Sequence, residues 1–248
     1  MTPIQNQRVL GVIPARLAST RLSRKVLREI AGQPMLGWVY HAARACPLLD
    51  QVLIATDSEE VLEFAQRYSL PAIFTPADCA SGSDRVHAVA QSIAADIYVN
   101  IQGDEPLLRP EHLDALLAPM SDPAVQVATL ATDCTPANIA NPNAVKVVTS
   151  ASGRALYFSR STIPYDRDHA GSIPYRKHLG IYAYRREALQ RFPSLPPSAL
   201  EATEKLEQLR FLENDIDVHV SYTPFDTIGV DTEEDLQAVE ALLLSRRS

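Results

Sequence analysis

Short apolar runs alternate with stretches of helical period through the first half of the chain. Residues 9–13, 52–56 and 97–102 are apolar nearly throughout, the pattern of strands covered on both faces of a parallel sheet. Helical segments lie between them. One follows Pro34, which suits a first helical turn, and runs to about residue 45. The next opens at Ser58, a candidate N-cap with Glu59 and Glu60 in the first turn. Two more are predicted over about 83–94 and 110–120. Strand–helix repeats of this kind predict an α/β fold with a doubly wound, mostly parallel sheet.

The rhythm changes after residue 121. Residues 125–132, 145–149, 155–158 and 179–184 read as strands, and Ser152-Gly153 as a hairpin turn. A helix is predicted over 200–212, with Ser198 and Glu201 forming a capping box. A strand at 227–230, then Asp231 and a helix over 232–244 close the pattern. The expectation is one α/β domain over 1–248 with a more antiparallel region inserted at about 121–198.

Composition narrows the chemistry. The 248 residues carry a net charge of −7, with 46% hydrophobic and 21% charged side chains, ordinary for a globular protein large enough to bury a full core. This balance argues against a general binder of nucleic acid or membrane surfaces, which needs a basic face. No apolar stretch approaches the ~20 residues of a membrane span. Cys46, Cys79 and Cys134 are odd in number and share no close spacing, so they read as free thiols of a reducing compartment. The six histidines show no metal-ligand spacing.

Charge is unevenly placed. Arg8, Arg16, Arg21, Arg24, Lys25 and Arg28 precede the first carboxylate, Glu29. A transit peptide would also be Arg-rich and acid-free, but the unbroken strand pattern of 9–13 opposes an amphipathic helix there. Arg16, Arg21 and Lys25 are instead spread over a loop directly after the first strand. The small residues Ala15, Ala18, Ser19 and Thr20 let the backbone approach a ligand and offer N–H groups to phosphate. The loop is not a P-loop, because G-x-x-x-x-G-K is absent.

Asp104 follows the strand at 97–102, and Asp231 follows the run at 227–230. Carboxylates at the carboxyl ends of parallel strands face the crevice where such sheets bind ligands. Such a pair suits Mg2+ bridging substrate phosphates, although Asp231 before Thr232-Glu233-Glu234 also fits a helix cap. Asp57 is expected to cap the helix after it. Ser81-Gly82-Ser83-Asp84-Arg85 reads as a turn opening a helix whose N-terminus faces an anion or a base edge. In the inserted region Arg160 and Arg167 sit in or beside loops, and His178 and Tyr182 fall on one strand face. Glu207 and Gln208 fall on the polar side of the predicted 200–212 helix, where periodicity alone reads Glu207 as surface.

The segments IPARLASTRLSRK, ATDSEEV, SGSDRV, VNIQGDEP, NPNAVKVV, ALYFSRSTIPYDRD, RKHLGIYAYR, LEATEKLEQLR and GVDTEEDL, in this order, resemble those of the 3-deoxy-D-manno-octulosonate (Kdo) cytidylyltransferases. The likeness runs from about residue 8 to 240. PARxxSxR and the GDEP turn are shared with wider cytidylyltransferases; ALYFSR, HLGIY and EQLR are narrower. The resemblance implies a nucleotidyltransferase-type sheet, a homodimer, and a cytoplasmic enzyme of lipopolysaccharide biosynthesis that makes CMP-Kdo and diphosphate from CTP and Kdo. It implies that Arg16, Arg21 and Lys25 contact the CTP phosphates, with Ala15, Ser81, Gly82 and Gln102 around the nucleotide. It implies catalytic roles for Arg16, Arg21, Lys25 and Asp104, with Mg2+ on Asp104 and Asp231. Arg160, Arg167, His178, Tyr182, Glu207 and Gln208 would hold the sugar acid. Two departures stand out: Ser23 replaces a usual proline, and Asn214-Asp215 stands where a glycine often ends the late helix. The competing readings are the same chemistry on 8-amino-Kdo or another acid sugar, a glycosyltransferase on a related sheet, and a nucleotide sensor without turnover.

Overall fold

A computed structural model of the chain describes residues 4, 7–17, 22–79, 81–168, 171, 173–196 and 198–245. It divides into two compact units, one built from Gln5–Asp114 and Thr227–Ser248, the other from Ala115–Asp226. The second unit is wider than the 121–198 insertion expected from sequence. The strand Val218–Tyr222, which pairs inside it, draws the chain beyond 198 into the same body.

In the first unit, in chain order, come β1 (Val9–Pro14), the two-residue strands β2 (Glu29–Ile30) and β3 (Gln33–Pro34), and α1 (Met35–Arg44). β4 (Gln51–Thr56), α2 (Glu59–Arg67), β5 (Ala72–Phe74), α3 (Gly82–Ser92), β6 (Ile97–Asn100) and α4 (Pro110–Leu117) follow. β6, β1, β4 and β5 lie side by side in that order, all parallel. β1 is buried along five of its six residues and β6 along all four, as continuous apolar runs demand of strands covered on both faces.

Local chemistry sets the helix starts. Ser58 caps α2, accepting the Val61 N–H. Ser81 caps α3 in a full capping box with Asp84. Asp57 is not a cap: its carboxylate takes the guanidinium of Arg85, fully buried on α3, at 2.9 Å. A buried cation needs a carboxylate more than a helix end needs a second cap.

The loop after β6 turns back sharply at Gly103. A Cβ there would lie 2.9 Å from the Pro14 carbonyl, so only glycine lets these two strand ends approach.

In the second unit come β7 (Val127–Asp133), α5 (Pro136–Ile139), β8 (Lys146–Thr149), β9 (Ala155–Ser159), β10 (Arg176–Arg185), α6 (Arg186–Arg191), α7 (Ala199–Glu204), α8 (Leu209–Glu213) and β11 (Val218–Tyr222). β7 pairs antiparallel with β10 and parallel with β11; β8 pairs antiparallel with β10 and with β9. Gly153, with φ 84°, makes the predicted β8–β9 turn.

Two expectations fail here. The helix predicted over 200–212 is two short helices, α7 and α8, broken at Lys205 in the left-handed region (φ 54°, ψ 46°). Ser198 does accept the Glu201 N–H, but the Glu201 carboxylate takes Arg210 at 2.7 Å instead of closing a capping box.

One face of β10 carries a row of rings. His178 and Tyr182 lie 5.5 Å apart between centroids, and Tyr182 and Tyr184 5.8 Å. Thr129 Oγ1 lies 3.0 Å from His178 Nε2 and donates its single proton to the main chain, with the Ile181 carbonyl at 2.8 Å. The ring therefore donates to Thr129, which assigns the neutral Nε2–H tautomer. Burial holds the His178 pKa down to about 3, and the Lys177 charge pushes the same way.

The chain then re-enters the first unit. The predicted strand at 227–230 is a loop, tied by the Val230 N–H to the Asp104 carbonyl at 3.0 Å. α9 (Glu233–Ser245) follows. Val230, Leu236, Val239 and Leu243 pack with Leu22, Ile30, Met35 and Leu107.

Two outcomes are expected. Gly103→Ala lowers stability by ~1–3 kcal/mol, the usual cost of overpacking, read as a shifted denaturant midpoint; an unmoved midpoint would show that the strand ends can part. The unfolded chain binds a proton at residue 178 below about pH 6.5 that the folded chain refuses down to about pH 3. Stability therefore rises with pH across that window, by at most ~1.4 kcal/mol per pH unit. His178→Gln flattens that limb, and an unchanged acid slope would contradict the buried neutral ring.

Candidate active site

Lys25 is the centre of the first unit's polar cluster. It opens a 3-10 turn, Lys25–Leu27, behind Arg24 in the left-handed region. Its Nζ donates to Asp104 Oδ2 at 2.5 Å and to Asp231 Oδ1 at 2.9 Å. Two carboxylates 127 residues apart in sequence thus reach one cation, because the Val230–Asp104 backbone bond brings their segments together. Burial of the ammonium works to lower its pKa, but Asp104 and then Asp231 outweigh this and hold it above the usual lysine value.

The helix-cap alternative for Asp231 does not hold. Thr232 accepts the Asp235 N–H, while the Asp235 carboxylate takes the N–H groups of Asp231 and Thr232. Residues 232–235 cap α9 themselves and leave the Asp231 carboxylate to Lys25. Arg28 and Arg24 brace the same loop, pairing with Glu233 of α9 at 2.9 Å and with Glu60 of α2.

The remaining nucleotide-site expectations fall around this cluster or beyond the described residues. Arg16, at the end of β1, donates to the Cys79 carbonyl, and so ties the basic loop to the segment before α3. Ala15 is buried and donates its N–H to the Ala55 carbonyl at 2.9 Å. Ser81 spends its hydroxyl on the α3 capping box. Gly82 sits against Asn100, where a Cβ would lie 3.2 Å from the amide nitrogen. Gln102 is half-buried in the turn before Gly103. Arg21, with Ala18, Ser19 and Thr20, lies outside the described residues.

Asp104 and Asp231 fit a hard divalent cation. Both are partly exposed, at 28% and 43%, and both already turn oxygen atoms toward one positive charge. Among the described residues no group of three or more His, Cys, Asp or Glu side chains could hold a metal. A cation on this pair would therefore complete its shell with water and ligand oxygens, as Mg2+ does.

The sugar-acid expectations lie in the second unit. His178 and Tyr182 are buried neighbours on β10, as the i, i+4 spacing requires. Glu207 and Gln208 sit in the turn between α7 and α8, not on a helix face. Gln208 is 5% exposed, and its buried Nε2 has no partner among the described residues. Glu207 lines a cavity of about 390 Å³ with Ser198, Glu201, Lys205 and Arg210. Arg167 is exposed. Arg160 gives its Nε to the Glu204 carbonyl at 2.7 Å and Nη1 to the Pro142 carbonyl at 3.0 Å. A larger cavity of about 550 Å³, lined in part by Ser152, Arg154, Asp217 and His219, holds none of the expected residues. Its Arg154 is paired with Asp217 at 3.5 Å, so volume alone does not mark the chemistry.

Sequence reasoning missed two residues here, Lys146 and Glu204. Lys146 stands between valines in a buried strand, and that position was the available signal. Glu204 carried none, because its partners Ser159 and Arg160 lie 45 and 44 residues away.

Comparison with known proteins agrees with this geometry. A cytidylyltransferase family model matches residues 10–218. The 3-deoxy-manno-octulosonate cytidylyltransferase of Acidobacterium capsulatum is 72% identical over 239 residues, covering 96% of this chain and 98% of that protein. The Koribacter versatilis protein of the same name is 60% identical, covering 96% and 91%. The solved structure of CMP:2-keto-3-deoxy-manno-octonic acid synthetase complexed with CTP superposes with a TM-score of 0.93 at 44% identity, covering 96% of this chain and 99% of that one. Among the described residues no helix is long and apolar enough to cross a membrane. With the motif order, the parallel sheet and the two carboxylates converging on Lys25 already in place, these matches show that the chain belongs to the 3-deoxy-manno-octulosonate cytidylyltransferase family.

Proposed function

We propose that the chain transfers the cytidylyl group of CTP to 3-deoxy-manno-octulosonate, releasing diphosphate. The observation that carries this reading is the convergence of Asp104 and Asp231 on the Lys25 ammonium beside the basic loop. The first unit takes the nucleotide. Arg16, Arg21 and Lys25 bind its phosphates, Arg through forked contacts and Lys as a point charge. Ala15, Ser81, Gly82 and Gln102 surround the nucleoside.

In the reaction the anomeric hydroxyl of the sugar attacks the α-phosphorus and gives up its proton to water, and the bond to the departing diphosphate breaks. Negative charge grows on the phosphoryl oxygens and on the leaving group. The basic side chains face that growth as preorganised charge, the term that dominates phosphoryl transfer. Mg2+ on Asp104 and Asp231 supplies further neutralisation when bound. In the second unit Arg167, His178, Tyr182, Glu207 and Gln208 offer a charge and mixed donors and acceptors for a many-hydroxyl acid. A homodimer in the cytoplasm completes the reading.

Diphosphate release with CTP and a panel of sugar acids tests it. Turnover with Kdo is expected; turnover confined to 8-amino-Kdo or a nonulosonic acid would reassign the acceptor, and none with any would end the reading. Lys25→Ala is expected to cost ~10²–10³-fold in kcat. The same variant should bind Mn2+ more tightly without nucleotide, since the ammonium no longer competes for the carboxylates; weaker binding would show that they do not share a cation. Asp104→Asn should lose more activity than Lys25→Ala, and near-normal turnover at ordinary Mg2+ would remove the metal from Asp104.

A further inference from the structure

Lys146 is fully buried in β8, yet among the described residues its ammonium bonds only main-chain carbonyls and no carboxylate. Its three N–H groups go to three main-chain carbonyls: Asn141 at 2.8 Å, Ala144 at 2.6 Å and Arg160 at 2.8 Å. A lysine has three donors, so its capacity is filled. Burial lowers its pKa, as expected for a charge taken out of water. An apolar side chain would fill this strand position without that cost, so the ammonium is there for what it gathers.

It gathers the chain around Arg160. The Arg160 N–H donates to Glu204 Oε2 at 2.9 Å, and Ser159 Oγ donates to Glu204 Oε1 at 2.5 Å. The Arg160 guanidinium adds the carbonyls of Glu204 (2.7 Å), Pro142 (3.0 Å) and Lys205 (3.4 Å). Glu204 and Lys205 are where α7 ends. Lys205 takes the left-handed conformation there, which a non-glycine residue adopts only against the clash of its Cβ with the backbone. The fork on its carbonyl and on that of Glu204 offsets that clash. Glu207 and Gln208 follow directly, the second with a buried amide nitrogen that has no partner among the described residues.

We propose that Lys146 is a positioning residue for the sugar-acid subsite: by clamping the Arg160 carbonyl to the 141–144 turn it aims the Arg160 fork, which sets the α7–α8 kink and so the placement of Glu207 and Gln208. Arg160 then acts through the chain it holds and not as a ligand of the sugar. This inference rests on the sugar-acid reading of the second unit.

The test compares Lys146→Met, Lys146→Arg and wild type in two measurements. One is diphosphate release with CTP and Kdo varied separately; the other is amide hydrogen exchange of peptides covering 199–213 and 82–92. Lys146→Met should raise KM for Kdo about tenfold and leave KM for CTP within about twofold, the signature of one lost binding geometry. Exchange should quicken in 199–213 and not in 82–92, and Lys146→Arg should recover part of both effects. An unchanged KM for Kdo, or equal rises for both substrates, would overturn the proposal. If Lys146→Met does not fold, Arg160→Lys, which keeps the charge and loses the fork, should show the same split and the same faster exchange. A raised KM with wild-type exchange in Arg160→Lys would mean that Arg160 touches the sugar itself, and the proposal fails. If wild type turns over no Kdo, the functional reading falls, and the exchange comparison alone decides whether Lys146 sets the kink.

Discussion

Two carboxylates share one positive charge, and the first unit is arranged so that they must. Asp104 stands in a turn that exists because Gly103 lets the loop pass the Pro14 carbonyl. Asp231 stands in a segment with no strand of its own, fixed by one backbone bond from Val230 and by the apolar packing of Val230, Leu236 and Val239. Like charges brought this close repel, and the Lys25 ammonium offsets the repulsion. The same geometry fits a divalent cation, which would take oxygen ligands from the two carboxylates and the rest from phosphate and water. The proposed triphosphate would give the basic opening stretch of this acid-rich chain its purpose, as positive charge on its other side.

In the second unit the residues proposed for the sugar acid lie on a mostly buried surface. Neutral His178 and Tyr182 sit side by side in the sheet, one with its tautomer set by Thr129. Glu207 and Gln208 come from a kink that local sequence does not favour. Arg160 bonds the end of α7 just before that kink, at Glu204 and Lys205, 44 and 45 residues away in sequence. Bonds to main-chain carbonyls hold backbone shape, and backbone shape is what presents a turn.

What could be read from the sequence follows from how local its cause is. β1, β4 and β6 were legible because strands buried on both faces are apolar without interruption. Ser58 as a cap was legible because its partner, Val61, is three residues on. Asp57 was misread as a cap because Arg85, its partner, lies 28 residues away. The 200–212 helix was misread because its period is continuous through Lys205, while the Arg160 side chain that bonds the Lys205 carbonyl stands 45 positions earlier. β11 went unread in the sequence, although Val218, His219, Val220 and Ser221 alternate in and out and carried the signal. Asp104 and Asp231 could each be picked out as strand-end carboxylates, although the segment before Asp231 proved to be a loop. That Lys25 lies between them is a tertiary fact, 206 residues wide for Asp231.

The most direct test is a crystal structure of the protein with CTP and Mg2+. The metal should lie on both Asp104 and Asp231, with the Lys25 ammonium moved from between them onto a phosphate. A metal bound away from either carboxylate, or Lys25 still bridging the pair beside bound nucleotide, would contradict the shared-cation account.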